Sequence, residues 1–146
     1  MATLQTFDQA LSDSTAASGN GWSDERLGVV AELAAKLSEE ELGLLRVIWP
    51  DRSLVWQEHC AEVLGSARLD EAIELLMDML DRAKPEVALA ALESLREFDP
   101  RRFTREQTKS ILAALKATLE RSVAPLHRVV LEAFLATLRS TGGPLE

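Results

Sequence analysis

A chain of 146 residues is one domain by size and long enough to bury about two-thirds of its unfolded surface, so no disulfide or metal staple is required. Its apolar content rests on Leu and Ala, with no Tyr and only 4 Phe, which favours helix over sheet, and its single Cys60 excludes an internal disulfide. A formal charge of −8 excludes a broadly basic, nucleic-acid-coating protein.

The first 22 residues open with Leu4, Phe7, Ala10 and Leu11, a pattern for one or two helical turns that dock through Phe7 and Leu11. From Ser12 to Gly21 the composition turns to small polar residues and glycine, as in a flexible linker. No basic segment precedes an apolar stretch of about 7 to 15 residues, so no export signal is read. No run approaches the roughly 18 apolar residues that would span a bilayer. A soluble, cytoplasmic protein without membrane association is expected.

The helical domain is expected over 23–141, followed by a short tail over 142–146. Ser23-Asp24-Glu25 is a start signal, and Leu27, Val30, Ala34 and Leu37 recur at helical spacing, predicting a helix over 24–37. Ser38 and Glu41 have capping-box spacing, and Leu42, Leu45, Ile48 and Trp49 form the next stripe until Pro50 stops it. A third helix starts near Ser53, buries Trp56, Cys60, Val63 and Leu64, and ends at Gly65. The fourth carries Leu69, Ala72, Ile73, Leu76 and Leu80, widened by Leu75 and Met79, which predicts cover on more than one side.

Pro85 suits the first turn of a fifth helix with Val87, Ala91, Leu92 and Leu95 inward and Phe98 closing its end. Thr104 and Gln107 repeat the capping-box spacing ahead of Thr108, Ile111, Leu112, Leu115 and Leu119. Pro125 opens the seventh, with Leu126, Val129, Val130, Phe134 and Leu138 expected inward and Gly142-Gly143-Pro144 as its stop. The expectation is all-α: about seven helices in three or four successive hairpins.

Between residues 53 and 98, the Leu64-Gly65 ending, Asp70-Glu71-Ala72 with its leucines, and the Pro85-Glu86-Val87 restart resemble HEAT-like repeats of the bacterial type. That resemblance implies a right-handed stack of antiparallel helical hairpins, a short α-solenoid whose second helices line a concave face. The Arg that follows this Val in HEAT-like units is replaced by Ala88, and the unit spacing is unequal. The implied stack is therefore irregular.

Charge is polarised along the chain: residues 1–97 hold 19 of the 24 acids and 8 of the 16 bases. Glu71, Glu74, Asp78 and Asp81 share one face of the fourth helix, with Asp70 at its edge. Such a face attracts a basic partner when it is not simply solvated. Glu39-Glu40-Glu41 is explained by the helix dipole, and Lys109 and Lys116 lack the aromatics of a nucleic-acid groove. Trp22, between linker and helix cap, is a candidate contact residue.

His59 and Cys60 diverge by about 100° as helical neighbours, so they read as core residues before a metal or nucleophile pair. No phosphate loop, nucleophile elbow or zinc-helix motif appears. These readings converge on a non-catalytic interaction scaffold without metal or cofactor. It would bind a basic protein partner through Asp70, Glu71, Glu74, Asp78, Asp81 and Trp22, for instance as an inhibitor or immunity-type protein. Two alternatives stay open. HEAT-like enzymes include chromophore lyases and DNA-lesion glycosylases, and Leu44, Leu75, Met79 and Leu89 lie off the main stripes as an association patch for a homo-oligomer.

Overall fold

The computed structural model describes residues 2–16, 24–121 and 123–141, which form eight α-helices and no strand. The segments 17–23 and 142–146, with the rest of the expected linker, the tail, the Ser23 cap and the Gly142-Gly143-Pro144 stop, lie outside the described residues, whereas residues 12–16 of that expected linker are helical. The first helix, α1 (Ala2–Ala16), is 15 residues long rather than one or two turns. Its Ser- and Thr-rich second half has weak intrinsic helicity, so tertiary anchors carry it. Phe7 and Leu11 are fully buried, as expected, and α1 packs on α2 (Asp24–Ala35) and α4 (Leu54–Val63).

Polar contacts fix the same docking. Asp8 accepts from Arg52 Nη2 at 2.7 Å and from Trp56 Nε1 at 3.0 Å, while the Arg52 guanidinium lies 5.6 Å from the Trp56 ring centre. Ser38 and Glu41 form the expected capping box on α3 (Glu39–Ile48). The second Glu41 oxygen accepts from the Leu4 N–H at 2.7 Å, so one carboxylate serves the starts of two helices. Bonding to the Ser38 N–H holds that carboxyl below its ordinary range.

Pro50 ends α3 in a 3₁₀ turn, Trp49–Asp51, and the Ser53 hydroxyl then caps α4 by accepting from the Trp56 N–H at 3.2 Å. A second 3₁₀ turn, Leu64–Ser66, and Arg68 in the left-handed region at φ 62° redirect the chain into α5 (Asp70–Arg82). Helix α6 (Pro85–Leu95) takes Pro at its first turn and packs most extensively on α4 and α5. At its crossing with α4, a Cβ on Gly65 would sit 3.1 Å from the Ser94 carbonyl oxygen, and the Ser94 hydroxyl donates to the Ala61 and Glu62 carbonyls.

Helix α7 (Arg105–Leu119) has its Thr104–Gln107 capping box, and α8 (Pro125–Thr141) packs on it and on α6. Of the expected stripe on α8, Phe134 and Leu138 are buried as expected, together with Leu131, whereas Leu126 and Val129 at its start are 77% and 64% exposed. The cause lies in the polar neighbours. His127 Nδ1 meets Glu93 Oε2 at 2.5 Å, and Arg128 donates to the Leu119 carbonyl at 2.9 Å. Residues 127 and 128 therefore face the body, and their neighbours turn outward by about 100°. Leu75 and Met79 are wholly buried because α5 is covered by α3, α6 and α7, so the off-stripe association patch expected around them does not form.

Asp8→Ala removes the acceptor shared by Arg52 and Trp56, and the expected loss is about 1–3 kcal/mol of unfolding free energy in urea. In a cycle with Arg52→Ala, the double variant should lose less than the sum of the single losses. Strict additivity would show that the contacts carry no coupling.

Candidate functional site

The acidic face of α5 lines an open groove of about 570 Å³ between α3, α5 and α7. One wall is Glu74, Asp78 and Asp81, with Met77 and Leu80 between them; the facing wall on α7 is Gln107, Ser110, Ala113 and Ala114. Positions 107, 110 and 114 recur at i, i+3 and i+7, so the α7 wall is built of short or uncharged side chains. Small residues at that spacing leave room where leucines would have closed the helices together. Arg46 of α3 stands at the groove as its one lining base.

The acids on α5 are not equivalent. Asp78 is 12% exposed at its side chain, accepts from Trp49 Nε1 at 3.0 Å, and pairs with Arg82 at 3.1 Å. Arg82 lies 5.5 Å from the centre of the Trp49 ring, which reproduces the Asp8–Arg52–Trp56 arrangement. Asp78 therefore ties the 3₁₀ turn at the end of α3 to α5, and its charge is largely committed within the fold. Asp70 sits away from the groove and pairs with Arg102 at 2.7 Å, and Arg102 also covers Phe98. Glu74 is half exposed and approaches Arg46 at 4.0 Å, a spacing and exposure worth little energy. Glu71 and Asp81 make no ion pair among the described residues, and Asp81 is exposed.

Three of the six sequence candidates thus converge on one groove, Glu74, Asp78 and Asp81, with Glu74 and Asp81 as its available charges. Glu71 and Asp70 lie on the same helix outside the lining, and Trp22 lies outside the described residues. Arg46 and the α7 wall escaped the sequence reading. For the α7 wall the available signal is the spacing of the small residues Ser110 and Ala114.

His59 and Cys60 are both buried in α4, and burial pushes the thiol far above its ordinary range while lowering the imidazole. His127 is engaged by Glu93 on another face. Among the described residues no three His, Cys, Asp or Glu side chains are grouped to hold a metal ion. No helix among them is long and apolar enough to cross a membrane. No protein-family model, curated protein or solved structure matches this chain.

The His59 environment sets a pH dependence. Its folded value lies below 6.5, so between these limits the unfolded chain binds a proton that the native chain refuses, and stability falls as pH drops below 6.5. The slope from this one site is at most about 1.4 kcal/mol per pH unit. His59→Gln should flatten the urea-midpoint profile below about pH 6.5. A profile unchanged in slope would show that His59 titrates alike in both states.

Proposed function

We propose that the protein is a non-catalytic binding scaffold whose groove between α3, α5 and α7 holds a basic segment of a protein partner. The arrangement proposed around it is a short, irregular, HEAT-like stack of helices in which α2, α4 and α6 form one layer and α3, α5 and α7 the other. In that arrangement the layer α3, α5 and α7 contributes the walls: α3 through Arg46, α5 through its acids, and α7 through Gln107 and Ser110. The order of packing, α3 on α5 and α5 on α7, supports it.

The observation that carries the binding reading is the pairing of Glu74 and Asp81, both exposed, with an opposite wall too small to neutralise or cover them. Met77 and Leu80 between the acids supply apolar surface for the aliphatic stem of a Lys or Arg, whose head then reaches a carboxylate. Long-range attraction from the acidic part of the chain would raise the encounter rate, and salt would suppress it. An inhibitor or immunity-type protein that masks a basic toxin or enzyme is the concrete form proposed. Its size and charge support that form.

The test starts with affinity purification from the native cell and proceeds to titration of the recovered partner. Glu74→Lys with Asp81→Lys should weaken binding by about tenfold or more at low salt, which is about 1.4 kcal/mol, and should flatten its salt dependence. The thermal midpoint should hardly move, since both side chains are exposed. Asp78→Lys is unsuitable because it breaks the contact with Trp49. Equal affinity of wild type and the double variant in low salt would remove the groove from the proposal.

A further inference from the structure

Two exposed apolar faces, on α3 and α8, carry charges of opposite sign. On α3, Leu44 is 42% and Val47 72% exposed, and exposed Glu40 precedes them at i−4 from Leu44. Exposed Asp51 follows in the next turn, so this face is apolar at its middle and acidic at both ends. Arg46, which lines the acidic groove, is the residue beside Val47 and points about 100° away. The α3 face is therefore separate from that groove.

On α8 the exposed stripe is Leu126, Val129, Ala133 and Ala136. Beside Val129 a groove of about 310 Å³ opens between α8 and the end of α6, lined by Arg96, Pro100, Val130 and Phe134. Arg96 and Arg139 are exposed, and neither makes an ion pair among the described residues. Within one molecule α3 packs on α5, whereas α8 packs on α6, α7 and the turn Pro100–Arg102. The described residues thus leave the two faces uncovered, at opposite ends of the packing order.

We infer that the occupant of each face is the other face of a second copy of this chain. The Leu44–Val47 ridge of one copy sits in the groove beside Val129 of the next, and Glu40 and Asp51 meet Arg96 and Arg139. Charge complementarity selects this pairing over its rivals: two α3 faces would bring acids together, and two α8 faces would bring arginines together. A contact between two different faces on separate parts of the molecule leaves one face of each kind free in a dimer, so association continues beyond two copies, into a ring or an open oligomer. The reading stands apart from the proposed partner groove and uses none of its residues.

Sedimentation velocity of the full chain tests it, with Val47→Glu and Val129→Glu as variants at exposed sites whose helix content is checked by circular dichroism. Wild type should increase in average mass beyond a dimer over a roughly hundredfold concentration range, and less so in high salt. Each variant alone should remain monomeric. An equimolar mixture of the two should form a dimer that grows no further, because each variant retains the face that the other lacks. A wild type that stays monomeric throughout overturns the inference. Dimerisation by Val47→Glu alone overturns it in favour of a two-fold α8 contact, and a mixture that stays monomeric overturns it as well.

Discussion

The close crossing of α4 and α6 is the constraint on which the other contacts depend. An α-helix ends with carbonyls that have no partner within it, and burial of such an end demands acceptor satisfaction from elsewhere. At the end of α4 the Ser94 hydroxyl supplies it, donating to the carbonyls of Ala61 and Glu62. Gly65 permits the approach, since a side chain there would press on the Ser94 carbonyl and on Glu97. With α6 drawn in, Val87, Ala91, Leu92 and Leu95 become fully buried, and α5, α7 and α8 pack around the same helix. The left-handed Arg68 reverses the chain at this crossing and donates to the Glu97 carbonyl at 3.4 Å.

Two copies of one side-chain device join the peripheral helices to this centre. In each, an Asp accepts from a Trp indole and from an Arg whose guanidinium covers the same indole: Asp8, Trp56 and Arg52 between α1 and α4; Asp78, Trp49 and Arg82 between α5 and the 3₁₀ turn that ends α3. A buried indole N–H needs an acceptor, and a carboxylate near a partly buried surface needs a cation. The three residues answer both demands at once. The consequence for binding is that charge on α5 divides by depth. Asp78 is structural, while Glu74 and Asp81 stand free enough to meet a partner.

The legible parts of the fold were those written locally. Capping boxes at Ser38/Glu41 and Thr104/Gln107, Pro at the first turns of α6 and α8, and stripes such as Ala72, Ile73 and Leu76 all act over a few residues, and they formed as expected. What escaped was decided by residues distant in sequence. Helix α1 outruns its own composition because Arg52, Trp56 and Glu41 hold it. The first turn of α8 presents Leu126 and Val129 outward because Glu93 and the Leu119 carbonyl claim His127 and Arg128. For the site, helical spacing placed the acids on one face correctly, but periodicity carries no information about depth. It gave Asp78 and Asp81 equal standing, and it left out Arg46 and the small-residue wall of α7, whose relevance exists only across the groove.

Charge in this protein therefore works at three distances, and the dielectric surroundings decide what each does. At hydrogen-bond range, in the half-buried Trp–Asp–Arg contacts, it supplies geometry as much as energy, because breaking one partner leaves a group without its match. At the groove, Glu74 and Asp81 are exposed, so they add little to the stability of the fold and, in the proposed function, attract and orient a cation. Along the chain, residues 1–97 carry an excess of acids and residues 98–146 an excess of bases, and in the proposed function that asymmetry acts on a charged partner before any contact forms. Only the last two are screened by salt. Ionic strength is thus the variable that separates binding from folding: a property that changes with salt while the unfolding midpoint stays constant belongs to the exposed acids and the charged ends, not to the core.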